Sequence, residues 1–163
     1  MRKSLAALCV LIFVGLPGTS FGLGVDLGAE AIVLQPGENL GTGIGAGLRA
    51  NVDLGVVVLT GRAGYIRHLE KGGSSPDEMP IMFGLRYQLP IPALALYAGV
   101  EGGPITIKNG SSDTNIGIYP HIGAGIGKLD ATLGYYVPDA SEFSGGDANA
   151  VMLTVGYSFI SLP

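Results

Sequence analysis

Six residues that can carry charge stand among neighbours that are mostly glycine or small: Glu30, Arg49, Arg62, Arg86, Glu101 and His121. Three guanidiniums, two carboxylates and an imidazole can pair with one another, guide an ion, or move a proton. Catalysis asks for more, because acyl transfer or hydrolysis needs a nucleophile within hydrogen-bond reach of its base. The chain has only two histidines. His121 has no serine partner in its own segment, and His68 stands beside Arg67, Glu70 and the Ser74-Ser75 pair at the base of a polar connection. The expectation is therefore a protein that is not an enzyme. Neither H-x-x-x-H nor C-x-x-C spacing occurs, so no metal and no cofactor is expected. Gly123-Ala-Gly-Ile-Gly127 and Gly41-Thr-Gly-Ile-Gly-Ala-Gly47 imitate nucleotide loops. Such a loop joins a strand to a helix, whereas these glycines recur with period two.

That period governs the whole chain after the first 22 residues. Eight segments alternate: 23–33, 43–53, 57–65, 81–89, 94–101, 116–126, 129–137 and 151–159. Each sets an aliphatic and aromatic face against a face of glycine, hydroxyl and one or two charges, and all six residues above fall on the second face, near mid-strand. A glycine-rich face makes a poor water-facing surface. It suits the crowded inside of a small barrel, where small residues make room for a few long ones. The aliphatic face would then meet lipid, and strands of about 9–11 residues cross a bilayer at barrel tilt. Unpaired charges inside such a shell cost several kcal/mol each, so the six residues are expected to form an ion-pair network that plugs the lumen. A narrow polar pore is the other reading of the same residues.

Connection lengths and aromatic positions agree with this expectation. Tight turns at 53–55, 90–92 and 127–128 alternate with longer polar segments at 35–41, 69–80, 103–114 and 138–149, the pattern of short periplasmic turns and long external loops. On the outward parity, Tyr65, Phe83 and Tyr135 fall toward one end of the strands and Tyr87, Tyr157 and Phe159 toward the other. Two girdles at the bilayer edges are the expected result. Pro120 falls on the outward face of the sixth strand, where a bulge or an opened sheet is expected.

The 163-residue length suits one domain, and 47% hydrophobic with 13% charged residues excludes disorder. Residues 1–22 read as a signal peptide: Arg2 and Lys3, an apolar run from Leu5 to Leu16, and Ser20-Phe21-Gly22 before the cut. Cys9 leaves with it, so no disulfide is expected. Two of the nine basic residues leave as well, and the remaining seven face thirteen acidic ones. Nucleic acid is accordingly not an expected partner.

The closing strand Val151-Met-Leu-Thr-Val-Gly-Tyr-Ser-Phe159, together with the alternation across 23–163, resembles the small eight-stranded outer-membrane barrels of the OmpA and OmpX type. The resemblance implies an all-β, eight-stranded antiparallel up-and-down transmembrane barrel in a bacterial outer membrane, with both termini in the periplasm. It implies outer-membrane lipid and lipopolysaccharide as surroundings, and a structural or surface-interaction role whose contacts lie in loops 69–80 and 138–149. Families of this kind end on an aromatic residue read by the assembly machinery, and here Ile160-Ser161-Leu162-Pro163 follow Phe159. The competing expectation is a soluble lipocalin-like ligand-binding barrel with the aliphatic face inward, and the third a lipid-modifying barrel enzyme.

Overall fold

The computed structural model describes residues 24–37, 40–70, 72–73, 75–89, 91, 94–143 and 148–162. The expected signal peptide at 1–22 lies outside the described residues, as do Ser74 and Ser144-Gly145-Gly146. Eight strands follow in order: β1 Gly24–Pro36, β2 Gly43–Asp53, β3 Val57–His68, β4 Asp77–Leu89, β5 Ala95–Asn109, β6 Ser111–Ile126, β7 Leu129–Tyr136 and β8 Ala150–Leu162. Each runs antiparallel to the next, and β8 returns to β1, so the sheet closes into an up-and-down barrel. Closure removes the sheet edges that an open arrangement of these strands would leave.

Alternation converts directly into two faces. Leu48, Phe83, Leu85, Ile122, Leu133 and Leu153 are all exposed on the outside, while Arg49, Arg62, Glu30 and Glu101 are buried inside. The soluble lipocalin-like reading, with its aliphatic face inward, is overturned by this orientation. An outward belt of large apolar side chains also exceeds what a water-soluble monomer normally exposes.

The strands are longer than the alternation suggests. Residues 77–80 of the expected 69–80 loop belong to β4. The expected 103–114 loop is a continuous hairpin arm of β5 and β6 that turns at Gly110, whose φ of 77° suits glycine. In the 138–149 connection a 3-10 turn spans Ala140–Glu142. Asp139 caps it, accepting from the Ser141 hydroxyl at 2.6 Å and backbone N–H at 2.9 Å. Those two bonds hold its carboxyl below the usual carboxylate range.

Pro120 produces neither bulge nor opening. The β6–β7 pairing runs from Ile126↔Leu129 to His121↔Gly134 and resumes in the same register at Ile118↔Val137. Ile118 exchanges both backbone bonds with Val137 at 2.9 Å, so by period two Pro120 turns its backbone toward Tyr135 on β7. The ring nitrogen costs the ladder one hydrogen bond there, and β5 holds the strand from its other side through the flanking pairs Glu101↔Tyr119 and Gly99↔His121. The irregularity lies instead between β8 and β1, where the register shifts at Leu27/Gly28 and leaves Phe159 unpaired. This bulge lets Phe159, Ile160 and Leu162 all face outward.

Candidate functional site: the barrel interior

The inward side chains form tiers along the barrel axis. The tier nearest the short turns is centred on Asp130 of β7. Its carboxylate takes Nη1 of Arg49 and the Tyr97 hydroxyl, lies 3.7 Å from Nη1 of Arg86, and accepts from Thr132 Oγ1 at 3.4 Å. Arg49 Nη2 also donates to Ser158 Oγ at 3.3 Å, and Arg86 lies over the Tyr97 ring at 4.5 Å.

The second tier inverts this arrangement, with one guanidinium between two carboxylates. Arg62 approaches Glu101 Oε2 at 2.6 Å through Nε and Glu30 Oε1 at 3.3 Å through Nη1. Its Cζ lies 5.2 Å from the centre of the Tyr119 ring. Three arginines and three carboxylates thus share the two tiers, and their formal charges cancel. Balanced pairing is what makes burial of such groups tolerable.

Glycine provides the space. A Cβ on Gly156 would lie 2.7 Å from Arg49 Cζ, and one on Gly123 would lie 2.4 Å from the Tyr97 ring. The glycine-rich inner face is therefore a mould around a few long side chains.

Beyond the charged tiers the interior turns apolar. Ile32, Leu34, Ile66, Met82, Ile105, Tyr119, Tyr136, Ala150 and Met152 pack as one buried cluster in the half of the barrel toward the long connections. Above it, His68 Nδ1 donates to the Gly41 carbonyl at 2.8 Å, His68 Nε2 meets Glu78 Oε1 at 2.8 Å, and the Tyr136 hydroxyl donates to Glu78 Oε2 at 2.9 Å. At the opposite end, a polar cup of about 330 Å³ lies within a rim that includes Asp26, Asp53 and Lys128 and reaches down to Arg49 and Arg86.

All six residues expected inside are inside, and they divide. Glu30, Arg62 and Glu101 meet, whereas Arg49 and Arg86 turn to Asp130. His121 joins no ion pair among the described residues. It stacks on Tyr119 with ring centres 4.8 Å apart and bonds the Tyr119 carbonyl through Nδ1 at 3.1 Å. Asp130 was missed because it stands two residues after the Gly127-Lys128 turn, although its parity marks it as inward. His68, at the base of its polar connection, is 1% exposed with both ring nitrogens engaged.

Tyr65, Tyr87, Tyr135 and Phe159 face outward toward strand ends, Tyr157 faces outward midway along β8 beside Leu129 at the start of β7, and Tyr135 packs edge-on against Phe143. Phe83 departs from its expected girdle. It lies midway along β4, its ring covering Gly61, where a Cβ would be 3.3 Å away.

No family model matches the chain, and no curated protein matches it in sequence. Solved structures do match in fold. One is Neisserial surface protein A, with a TM-score of 0.61 at 13% identity, covering 82% of this chain and 94% of that one. Another is Ail, the attachment invasion locus protein of Yersinia pestis, in complex with the heparin analogue sucrose octasulfate. Its TM-score is 0.54 at 12% identity, covering 85% of this chain and 97% of that one. At these identities the similarity establishes the shared barrel fold.

Proposed function

We propose that the chain is a non-enzymatic barrel of a bacterial outer membrane, exported by its 1–22 leader, closed to solutes, and presenting its long connections as a contact surface. The outward apolar belt carries this reading, since such a belt suits contact with lipid while the charges pair inside. Side chains plug the lumen in two ways: the paired charges fill its lower half and the dry Ile-Leu-Met-Tyr cluster fills its upper half. A porin-like conducting path would have to cross that cluster.

The histidines argue against catalysis. Both nitrogens of His68 are occupied, and Ser75 Oγ donates to the His68 carbonyl at 2.6 Å, not to the ring. That leaves no activated nucleophile at His68 among the described residues.

Charge on the long-connection end suggests the kind of partner. The long connections and the strand ends beside them hold Glu38, Glu70, Asp77, Asp113, Asp139, Glu142 and Asp147 against Arg67, Lys71 and Lys108, leaving aside the buried Glu78. Ail is solved with a sulfated ligand, but this acid excess disfavours polyanions here. It suits a basic surface, or divalent cations bridging the loops to lipopolysaccharide, with 69–80 and 138–149 as contact segments.

Cell fractionation with detergent extraction tests the location, and planar-bilayer recording tests the closed lumen. Recovery only with detergent, with heat-modifiable mobility and no unitary conductance, is expected. A clear aqueous monomer would sink the membrane reading, and steady channel openings would sink the plug.

A further inference from the structure

Neither charged tier of the lumen uses His68, Glu78 and Tyr136. We propose that these three residues form a latch across the long-connection mouth of the barrel, held shut by a single retained proton and released when that proton leaves.

The proton count follows from hydrogen-bond chemistry. A carbonyl oxygen only accepts, so the 2.8 Å contact with Gly41 puts a hydrogen on His68 Nδ1. Glu78 Oε2 is taken by the Tyr136 hydroxyl at 2.9 Å, and Oε1 lies 2.8 Å from Nε2. That last contact needs a hydrogen between its atoms, carried either by an imidazolium or by a protonated carboxyl. Either way the closed arrangement binds one proton more than a neutral ring beside a free carboxylate. Without it, a nitrogen lone pair would face a carboxylate where both side chains are only 1% exposed.

Among the described residues no other group donates to Glu78 Oε1 or meets His68 Nε2. From β4 come Glu78 and the adjacent Asp77, from β3 Arg67 and from β5 Lys108, both of which stand opposite Asp77 in the register. β7 supplies Tyr136. β2 supplies only Gly43, whose added Cβ would lie 3.3 Å from the imidazole. Ile66 and Leu34 close the site from below.

The latch has leverage over the mouth. β7 lies three strands round from β4, so the Tyr136–Glu78 bond spans the lumen above the apolar cluster. The His68 N–H donates to the Pro76 carbonyl at 3.0 Å and the Leu69 N–H to the Thr42 carbonyl at 2.9 Å. The connections before β2 and β4 therefore both hang on this one corner. Because the closed form binds the extra proton, its advantage is complete between the ordinary carboxyl range and ~6.5 and falls as pH rises past ~6.5, the ordinary imidazole range. The inference concerns the fold itself and holds wherever the barrel resides.

Amide hydrogen exchange of the mature chain in detergent micelles, corrected for intrinsic rates and run from about pH 5 to about pH 9, tests it. Protection at the His68 and Leu69 amides should drop up to roughly tenfold per pH unit above the switch, as one-proton linkage requires. In Glu78→Gln the amide N–H can donate to Nε2 of a neutral ring while its carbonyl accepts from Tyr136. Protection in that variant should stay high and flat. Tyr136→Phe keeps the His–Glu pair, so it should retain the slope with lower protection. Ring nitrogen-15 shifts of His68 follow the proton in the unmodified protein, whatever the variants do. Flat wild-type protection, an unchanged slope in Glu78→Gln, or a His68 environment insensitive to pH would each overturn the proposal.

Discussion

Arg62 answers two buried carboxylates, Glu30 and Glu101, as Asp130 answers two guanidiniums in the tier below. Removing it by Arg62→Met should destabilise the fold by about 3–5 kcal/mol, as breaking a buried pair leaves its partners uncompensated. Urea unfolding in detergent would measure this. The triple change Glu30→Gln, Arg62→Met, Glu101→Gln should recover much of the loss, since it removes the stranded charges along with the pair. Gly156→Val tests the mould from the other side, its side chain colliding with Arg49 at 2.7 Å. Overpacking of this sort costs about 1–3 kcal/mol, while Gly37→Ala, with nothing within 4 Å, should stay within about 0.5 kcal/mol of wild type. Inward parity alone marks Glu30, Arg49, Arg62, Arg86 and Glu101 as lumen residues. Who pairs with whom depends on tilt and register around the closed ring, which brings Asp130 to Arg49 across 81 positions of sequence.

Among the elements, β6 is informative because it holds a proline inside a closed ladder. Pro120→Val should restore an N–H aimed at the Tyr135 carbonyl and add about 1 kcal/mol, seen as a newly protected amide at position 120. If the new amide exchanges freely and stability is unchanged, the assignment of that side to β7 is wrong. Strand ends were harder to read than strand faces. Leu34, Ile66 and Ile105 point inward although apolar, while Gln35 and Arg67 beside the first two face outward although polar. The faces exchange their character there, which breaks the pattern of apolar-out and small-or-charged-in, so β1, β3 and β5 outrun the segments that periodicity delimits. The arm that turns at Gly110 was hidden for a related reason: its polar tip reads as a loop, although β5 and β6 pair as far as Asn109↔Ser111.

At the scale of the molecule, polarity is sorted twice, from inside to outside and from one end to the other. The outward belt predicts that Leu133→Arg, placed midway along β7, costs about 2–4 kcal/mol of folding free energy in a bilayer. Refolding into lipid vesicles would measure it. The same change in a soluble barrel would be nearly neutral at so exposed a site. Along the axis, the lumen charges cancel, and the acidic excess of residues 23–163 collects at the long-connection end. Binding of a basic probe peptide should therefore weaken steeply with salt, and a partner whose affinity is insensitive to ionic strength would contradict an electrostatic contact.

Period-two patterning was enough to specify eight strands and their two faces, because a strand has only two sides and a one-residue slip would mix them. It gathered the six charges on the glycine-rich face, and the closed barrel decided that this face looks inward. Closing the ring decided the remainder: which carboxylate meets which guanidinium, that the upper lumen is apolar, and that Glu78 meets Tyr136 across the mouth. Those contacts join strands that are not neighbours along the chain, and no local spacing records them.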